Sequence, residues 1–182
     1  MSRVGIYGGT FDPIHLGHLH VITQLIEKGL VDQLLVIPAG EPLLREHAPV
    51  ASAQQRRTMC QLALSDLKPE VASKVQVNPI EVLRMGPSYA IDTVEAVKQN
   101  FPDDTIALVI GQDAAEKLDQ WHRIAELRSM VEFIVIGRPG YEGDGIDIGA
   151  LNVSATTIRE GLSADLSSSV ASFIRENNLY DN

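Results

Sequence analysis

At 182 residues and 19.8 kDa the chain is sized for one domain, and 45 % hydrophobic residues supply a substantial core. Only 21 % of its residues are charged, which excludes general disorder. Fifteen basic against 24 acidic residues give a net charge of −9, the wrong sign for a nucleic-acid or anionic-membrane surface. A small anion held by a few local donors remains compatible with it. The single cysteine, Cys60, can form neither an internal disulfide nor a cysteine-rich zinc site. Met1-Ser2-Arg3 runs directly into an apolar strand pattern without the layout of a signal peptide, and no apolar run approaches the ~18 residues of a membrane span. The chain reads as soluble and cytoplasmic.

In chain order, short apolar runs at 4–7, 33–38, 75–77, 106–110 and 133–136 read as buried strands. Helical spacing separates them. Leu16, Val21, Leu25 and Ile26 mark one helix, Met59, Leu62, Leu64 and Leu67 a second, and Ile91, Val94 and Val97 a third. Residues 139–145 read as a loop, and 166–176 as a closing helix. Strands alternating with helices of this length predict an open α/β domain over residues 1–182, with a mostly parallel sheet and helices on both faces. No repeat or linker divides it.

Chemistry-bearing residues begin where the first strand ends, at Gly8-Gly9-Thr10-Phe11-Asp12-Pro13-Ile14-His15-Leu16-Gly17-His18. Two glycines permit a sharp turn and close backbone approach to a ligand. The helix that follows offers unpaired N–H groups and a partial positive charge. His15 and His18, three apart, share a face of its first turn. Gly17 removes bulk where a ligand could press on the helix. Together these make an anion site at the carboxyl end of a strand. The plainer reading is a Gly-Gly turn, a helix start at Asp12-Pro13 and two surface histidines. Neither a Walker A loop nor the Gly-x-Gly-x-x-Gly of dehydrogenases is present. Farther on, Ser154, Thr156 and Thr157 precede Ile158-Arg159. They can cap a helix, or lend hydroxyls to a phosphate beside Arg159.

The first string resembles the signature of the nucleotidyltransferase superfamily that carries His-x-Gly-His after strand one, a Rossmann-like fold. Val153-Ser154-Ala155-Thr156-Thr157-Ile158-Arg159 is similar to its second motif. Three further stretches resemble bacterial nicotinate-mononucleotide adenylyltransferases: Gly86-Pro87-Ser88-Tyr89 with Asp92-Thr93, Gly111-Gln112-Asp113 followed by Trp121, and Arg138-Pro139-Gly140-Tyr141. The resemblance covers nearly the whole chain in order. It implies transfer of the adenylyl group of ATP to nicotinate mononucleotide, giving nicotinate adenine dinucleotide and pyrophosphate.

Carried onto this sequence, the resemblance makes His15, His18 and Arg159 the catalytic donors. It gives ATP the backbone at Gly8, Gly9, Thr10 and Phe11, the two histidines, Arg45, Gly111, Asp113, Ser154, Thr156 and Arg159. It gives the acceptor nucleotide Ser88, Tyr89, Thr93, Trp121 as a stacking partner, and Arg138. No protein metal site is implied, and Mg²⁺ is expected to arrive with ATP. Each residue also has a plainer role. Asp113 and Glu116 match a capping box, Trp121 can pack, Ser88, Tyr89 and Thr93 can shape a turn, and Arg138 can be a surface cation. One stretch departs from the family: Pro42-Leu43-Leu44-Arg45-Glu46-His47 keeps a basic residue but replaces the usual Pro-His pair before it, and His47 is no substitute. His20 reads as a helix-surface residue, and His122 as a backbone contributor. Alternatives are transfer to nicotinamide mononucleotide or phosphopantetheine, or a non-catalytic nucleotide-binding protein on the same fold. A homo-oligomer is compatible with the sequence.

Overall fold

The five apolar runs form one sheet in a computed structural model that describes residues 1–42, 47–137, 139 and 143–181. The strands are β1 (Arg3–Gly9), β2 (Gln33–Pro38), β3 (Val75–Val77), β4 (Thr105–Gly111) and β5 (Glu132–Ile136). Their order is β3-β2-β1-β4-β5, and all four pairings are parallel, with Ile6 opposite Leu35 on one side and Leu108 on the other. A sheet expected to be mostly parallel is wholly so among the described strands.

Helices α1 (Leu16–Glu27), α2 (Ala53–Ser65), α3 (Pro69–Ala72) and α4 (Ile80–Leu83) come before α5 (Ala90–Asn100). After β4 come α6 (Gln112–Ala115), a 3-10 turn at Leu118–Gln120 and α7 (Ile124–Met130), and after β5 come α8 (Ala155–Arg159) and α9 (Ser168–Glu176). The closing helix starts later than the expected residue 166 because Ser167 is its extended N-cap (φ −68°, ψ 157°). Leu166 still packs on the core just before it.

Strand alternation divides the core in two. Ile6, Leu35, Ile37, Leu108 and Ile110 face Ile91, Val94 and Val97 of α5 and Leu127 of α7. Leu34, Val36, Ala107, Val109 and Ile134 face Ile22 and Leu25 of α1, Met59 and Ala63 of α2, and Val170 of α9. Burying each large aliphatic side chain contributes about 1.5–3 kcal/mol. Every central strand is apolar on both faces because both faces are covered.

Strand order also places the site. From β1 the chain moves outward to β2 and β3, then returns to the opposite side of β1 as β4. Helices α1 and α5 therefore lie on opposite faces, and a crevice opens above the carboxyl ends of β1 and β4.

Candidate active site

That crevice is an open cleft of about 1360 Å³, reached by Gly8, Gly9, Thr10, His15 and His18 from β1 and the start of α1. Ser88, Tyr89 and Thr93 line it from the start of α5, and Gly111, Asp113, Trp121 and His122 from the segment after β4. Ser154, Thr156 and Arg159 line it from α8. Except for Arg45 and Arg138, which lie outside the described residues, the expected side chains come together in one cleft.

The first motif turns differently from its expected form. Gly8 and Gly9 continue the strand, and neither has a positive φ. The turn comes at Phe11, whose φ is 51°, a conformation uncommon outside glycine. Its ring is buried, edge-on to Tyr7 at 5.8 Å and to His18 at 5.0 Å between centroids. A Cβ on Gly9 would stand 2.8 Å from Phe11 Cζ, so this glycine makes room for the ring. Helix α1 begins at Leu16, not at Asp12-Pro13, with buried His15 as its N-cap.

The imidazoles of His15 and His18 stack at 3.7 Å with 25° between their planes. The His15 backbone N–H donates to His18 Nδ1 at 3.2 Å. An accepting Nδ1 leaves the proton of neutral His18 on Nε2, the tautomer that can donate to a phosphate oxygen. Gly17 serves the histidines as well. A Cβ there would lie 3.0 Å from the His15 ring, so this cleft-lining glycine also makes room for the imidazole.

Helix α8 brings the second motif to the first. Ser154 is its N-cap and accepts from the Thr157 N–H at 3.2 Å. Arg159 Nη1 donates to the Asp12 carbonyl at 2.7 Å, and Nη2 to Thr156 Oγ1 at 3.2 Å. A guanidinium far along the chain is thus fixed beside the β1 turn.

At the cleft's other end, Ser88 Oγ accepts from the backbone N–H groups of Gly40 and Glu41 at 3.1 and 3.2 Å, tying the exit of β2 to the start of α5. Thr93 is buried. Its hydroxyl donates to Glu81 Oε1 at 2.6 Å and accepts from Arg84 at 3.1 Å, so it shapes the wall from behind. Burial pushes the Glu81 carboxyl above its ordinary value, although bonds from Thr93 and Ser88 and the Arg84 charge pull it down. Tyr89 and His122 rings lie 4.4 Å apart, so His122 contributes its ring as well as backbone. Trp121 is half-buried on the wall, and its indole N–H has no partner among the described residues. Asp113 does not form the expected capping box: Gly111 is the N-cap of α6, and Glu116 ends it. The Asp113 carboxylate instead folds back over Gly111, where a Cβ would meet its Oδ1 at 2.7 Å.

Three residues support the site in roles that the sequence expectations did not assign them. Buried Asp12 accepts from the Val50 and Ala51 N–H groups and from the Tyr180 hydroxyl. Buried Arg56 donates to the carbonyls of Ala51, Thr10 and Gly40. Its signal was a charge on the apolar α2 face that Met59, Cys60 and Ala63 define; Tyr180 lies in the C-terminal stretch 173–180, which also resembles the family but carried no assigned role. His20, expected on the helix surface, is half-buried with Nε2 2.7 Å from the Ile148 carbonyl.

Comparison with known proteins agrees with this geometry. Residues 6–170 match the cytidylyltransferase-like family. An Oceanobacillus iheyensis protein named "Probable nicotinate-nucleotide adenylyltransferase" is 37 % identical, covering 99 % of this chain and 97 % of its own. The Bacillus subtilis nicotinate-nucleotide adenylyltransferase is 31 % identical, with 100 % of each chain covered. The fold is similar to that of the Plasmodium falciparum nicotinic acid mononucleotide adenylyltransferase complexed with NaAD, with a TM-score of 0.83 at 20 % identity over 100 % of this chain and 98 % of that one. The chain belongs to the cytidylyltransferase-like family and, within it, to the nicotinate-nucleotide adenylyltransferases.

Proposed function

We propose that the chain transfers the adenylyl group of ATP to nicotinate mononucleotide, releasing pyrophosphate and forming nicotinate adenine dinucleotide for NAD biosynthesis. The observation that carries this reading is the junction of the two motifs. Arg159 of α8 is bonded to the Asp12 carbonyl, on the same cleft wall as the stacked His15 and His18. Donors from two distant segments converge there on space for a polyphosphate.

The attacking oxygen belongs to the acceptor's own phosphate, whose second pKa is about 6, so it is largely dianionic at neutral pH. No protein nucleophile is needed. The residues position the two reactants and stabilise charge on the α-phosphate and departing pyrophosphate. His18 Nε2–H and Arg159 are the donors best placed for this, with His15 backing His18 and with Ser154, Thr156 and the Thr10–Phe11 backbone around the phosphates. Arg45 is assigned to the same phosphates from its motif position alone. Gly111 and Asp113 offer the ribose a close backbone approach and a carboxylate. Trp121, Tyr89 and Ser88 form the acceptor end, and Thr93 holds that wall through Glu81; Arg138 is assigned to the acceptor from its motif position alone. Mg²⁺ enters as part of the Mg·ATP substrate. Among the described residues no helix is long and apolar enough to cross a membrane. The same reading assigns the reaction to the cytoplasm.

The test is pyrophosphate release from Mg·ATP with nicotinate mononucleotide, beside parallel reactions with nicotinamide mononucleotide and phosphopantetheine. Fast release with the nicotinate compound alone is the expected result. Release only with another acceptor replaces the substrate. ATP binding without release from any acceptor points to a non-catalytic nucleotide-binding protein.

A further inference from the structure

Asp12 is anchored from both of its polar ends. Its carbonyl accepts from Arg159 at 2.7 Å, and its carboxylate accepts from Val50 N–H at 2.8 Å, Ala51 N–H at 3.0 Å and the Tyr180 hydroxyl at 2.7 Å. The last partner comes from the far end of the chain, 168 residues away. Beyond α9 the chain turns twice: Asn178, at φ 49°, closes the helix as a Schellman cap in which Leu179 N–H donates to the Ile174 carbonyl at 3.0 Å, and Tyr180 itself holds the less common φ of 63°. Single residues in that region persist only where their surroundings impose it. Here Leu179 and Tyr180 pack on the core beside α1 and α2. Burial, and then the bond to Asp12, push the Tyr180 hydroxyl far above its ordinary value, so it remains a protonated donor. A buried carboxylate that loses one of three donors must shift or go partly unsatisfied. Any shift of Asp12 moves the carbonyl that Arg159 rests on and the turn leading into His15.

We propose that Tyr180 is a positioning residue for adenylyl transfer: its hydroxyl holds Asp12, and Asp12 holds Arg159 in the geometry that meets the transition-state phosphate. The proposal rests on the adenylyltransferase reading given above. The C-terminal tail thereby becomes part of the active-site support. Asp12 also ties it to Val50 and Ala51, and Ala51 in turn accepts from Arg56, which bonds the Thr10 and Gly40 carbonyls.

The experiment compares wild type with Tyr180→Phe, which keeps the ring and its packing and deletes only the hydroxyl. Steady-state pyrophosphate release and melting temperature are measured on each. The expected result is a roughly tenfold fall in kcat, the scale of one hydrogen bond to a charged group. The acceptor KM should stay within about twofold and the melting temperature should hardly move. Val71→Ala, at a buried core position outside the cleft, is the packing control: it lowers the melting temperature and leaves kcat, measured well below both melting points, unchanged. Because the route runs through Arg159, the kcat losses of Tyr180→Phe and Arg159→Lys should combine to less than their product. Wild-type kcat in Tyr180→Phe overturns the proposal, as does a loss in Val71→Ala equal to that in Tyr180→Phe, or full additivity with Arg159→Lys. Absence of pyrophosphate release from wild type itself would instead overturn the adenylyltransferase reading, and the proposal would fall with it.

Discussion

His18 shows how much one hydrogen bond decides. Its Nδ1 accepts from the His15 N–H, and Phe11 stands edge-on to its ring. The proton is therefore kept on Nε2, and the ring cannot swing without losing both contacts. His18→Ala should lower kcat by about 10²–10³, the cost of one lost transition-state donor, while circular dichroism and melting temperature stay close to wild type. Wild-type turnover in that variant removes His18 from the chemistry. Glu81 acts at the same scale but through folding. Its carboxyl sits above the ordinary value because it is buried. Folding therefore favours its protonated form, and the stability it contributes is fully present below the ordinary carboxylate pKa. That contribution is lost as pH rises through the raised value. Glu81→Gln cannot ionise, so its melting temperature relative to wild type should climb as pH rises above the ordinary carboxylate range. A pH-independent difference would show that Thr93, Ser88 and Arg84 already offset the burial of the charge. Histidine spacing and the Ser154 cap were legible from sequence because three-residue spacing and N-cap chemistry are local rules. The Asp12–Tyr180 bond was not, because nothing near either residue encodes the other.

Among the elements, α1 carries the most constraint per residue. A glycine inside a helix ordinarily costs about 1 kcal/mol relative to alanine. Gly17 bears that cost because its Cβ would lie 3.0 Å from the His15 ring and 3.5 Å from Val153, the residue leading into the second motif. Gly17→Ala should therefore gain no stability from its better helix propensity. It should lose at least tenfold in kcat as the stacked imidazoles are pushed apart, a loss of about 1.4 kcal/mol or more in transition-state stabilisation. Thermal melting and turnover on the same preparation check both parts, and a stabilised variant with full activity would show that the ring yields freely. The sequence marked Gly17 as needing a reason, but it could not supply this one, because the clash depends on the His15 rotamer. Likewise, Gly8-Gly9 looked like the turn, whereas the turn is at Phe11. The glycine is there for a ring two residues ahead, a packing fact that local propensity does not carry.

Over the whole molecule, both core halves are built on β1, β2, β4 and β5, so neither can melt without exposing the other face of the sheet. Unfolding should be one cooperative transition, with calorimetric and van't Hoff enthalpies agreeing. Two separated transitions would mean that the α5–α7 side unfolds apart from the α1–α2–α9 side.

Sequence by itself determined the five strands, helices α1, α2, α5 and α9 and the two motif segments, since apolar period, cap chemistry and residue spacing are written within a few residues of each feature. It also placed Ser88, Tyr89 and Trp121 together through their resemblance to a family. Tertiary structure alone decided the strand order that opens the cleft between β1 and β4, and the docking of Arg159 on Asp12. It alone buried Arg56 beneath three carbonyls and returned Tyr180 to the first motif. Each of these joins segments distant along the chain, and such contacts are chosen by packing and hydrogen-bond satisfaction over the whole fold rather than by local pattern.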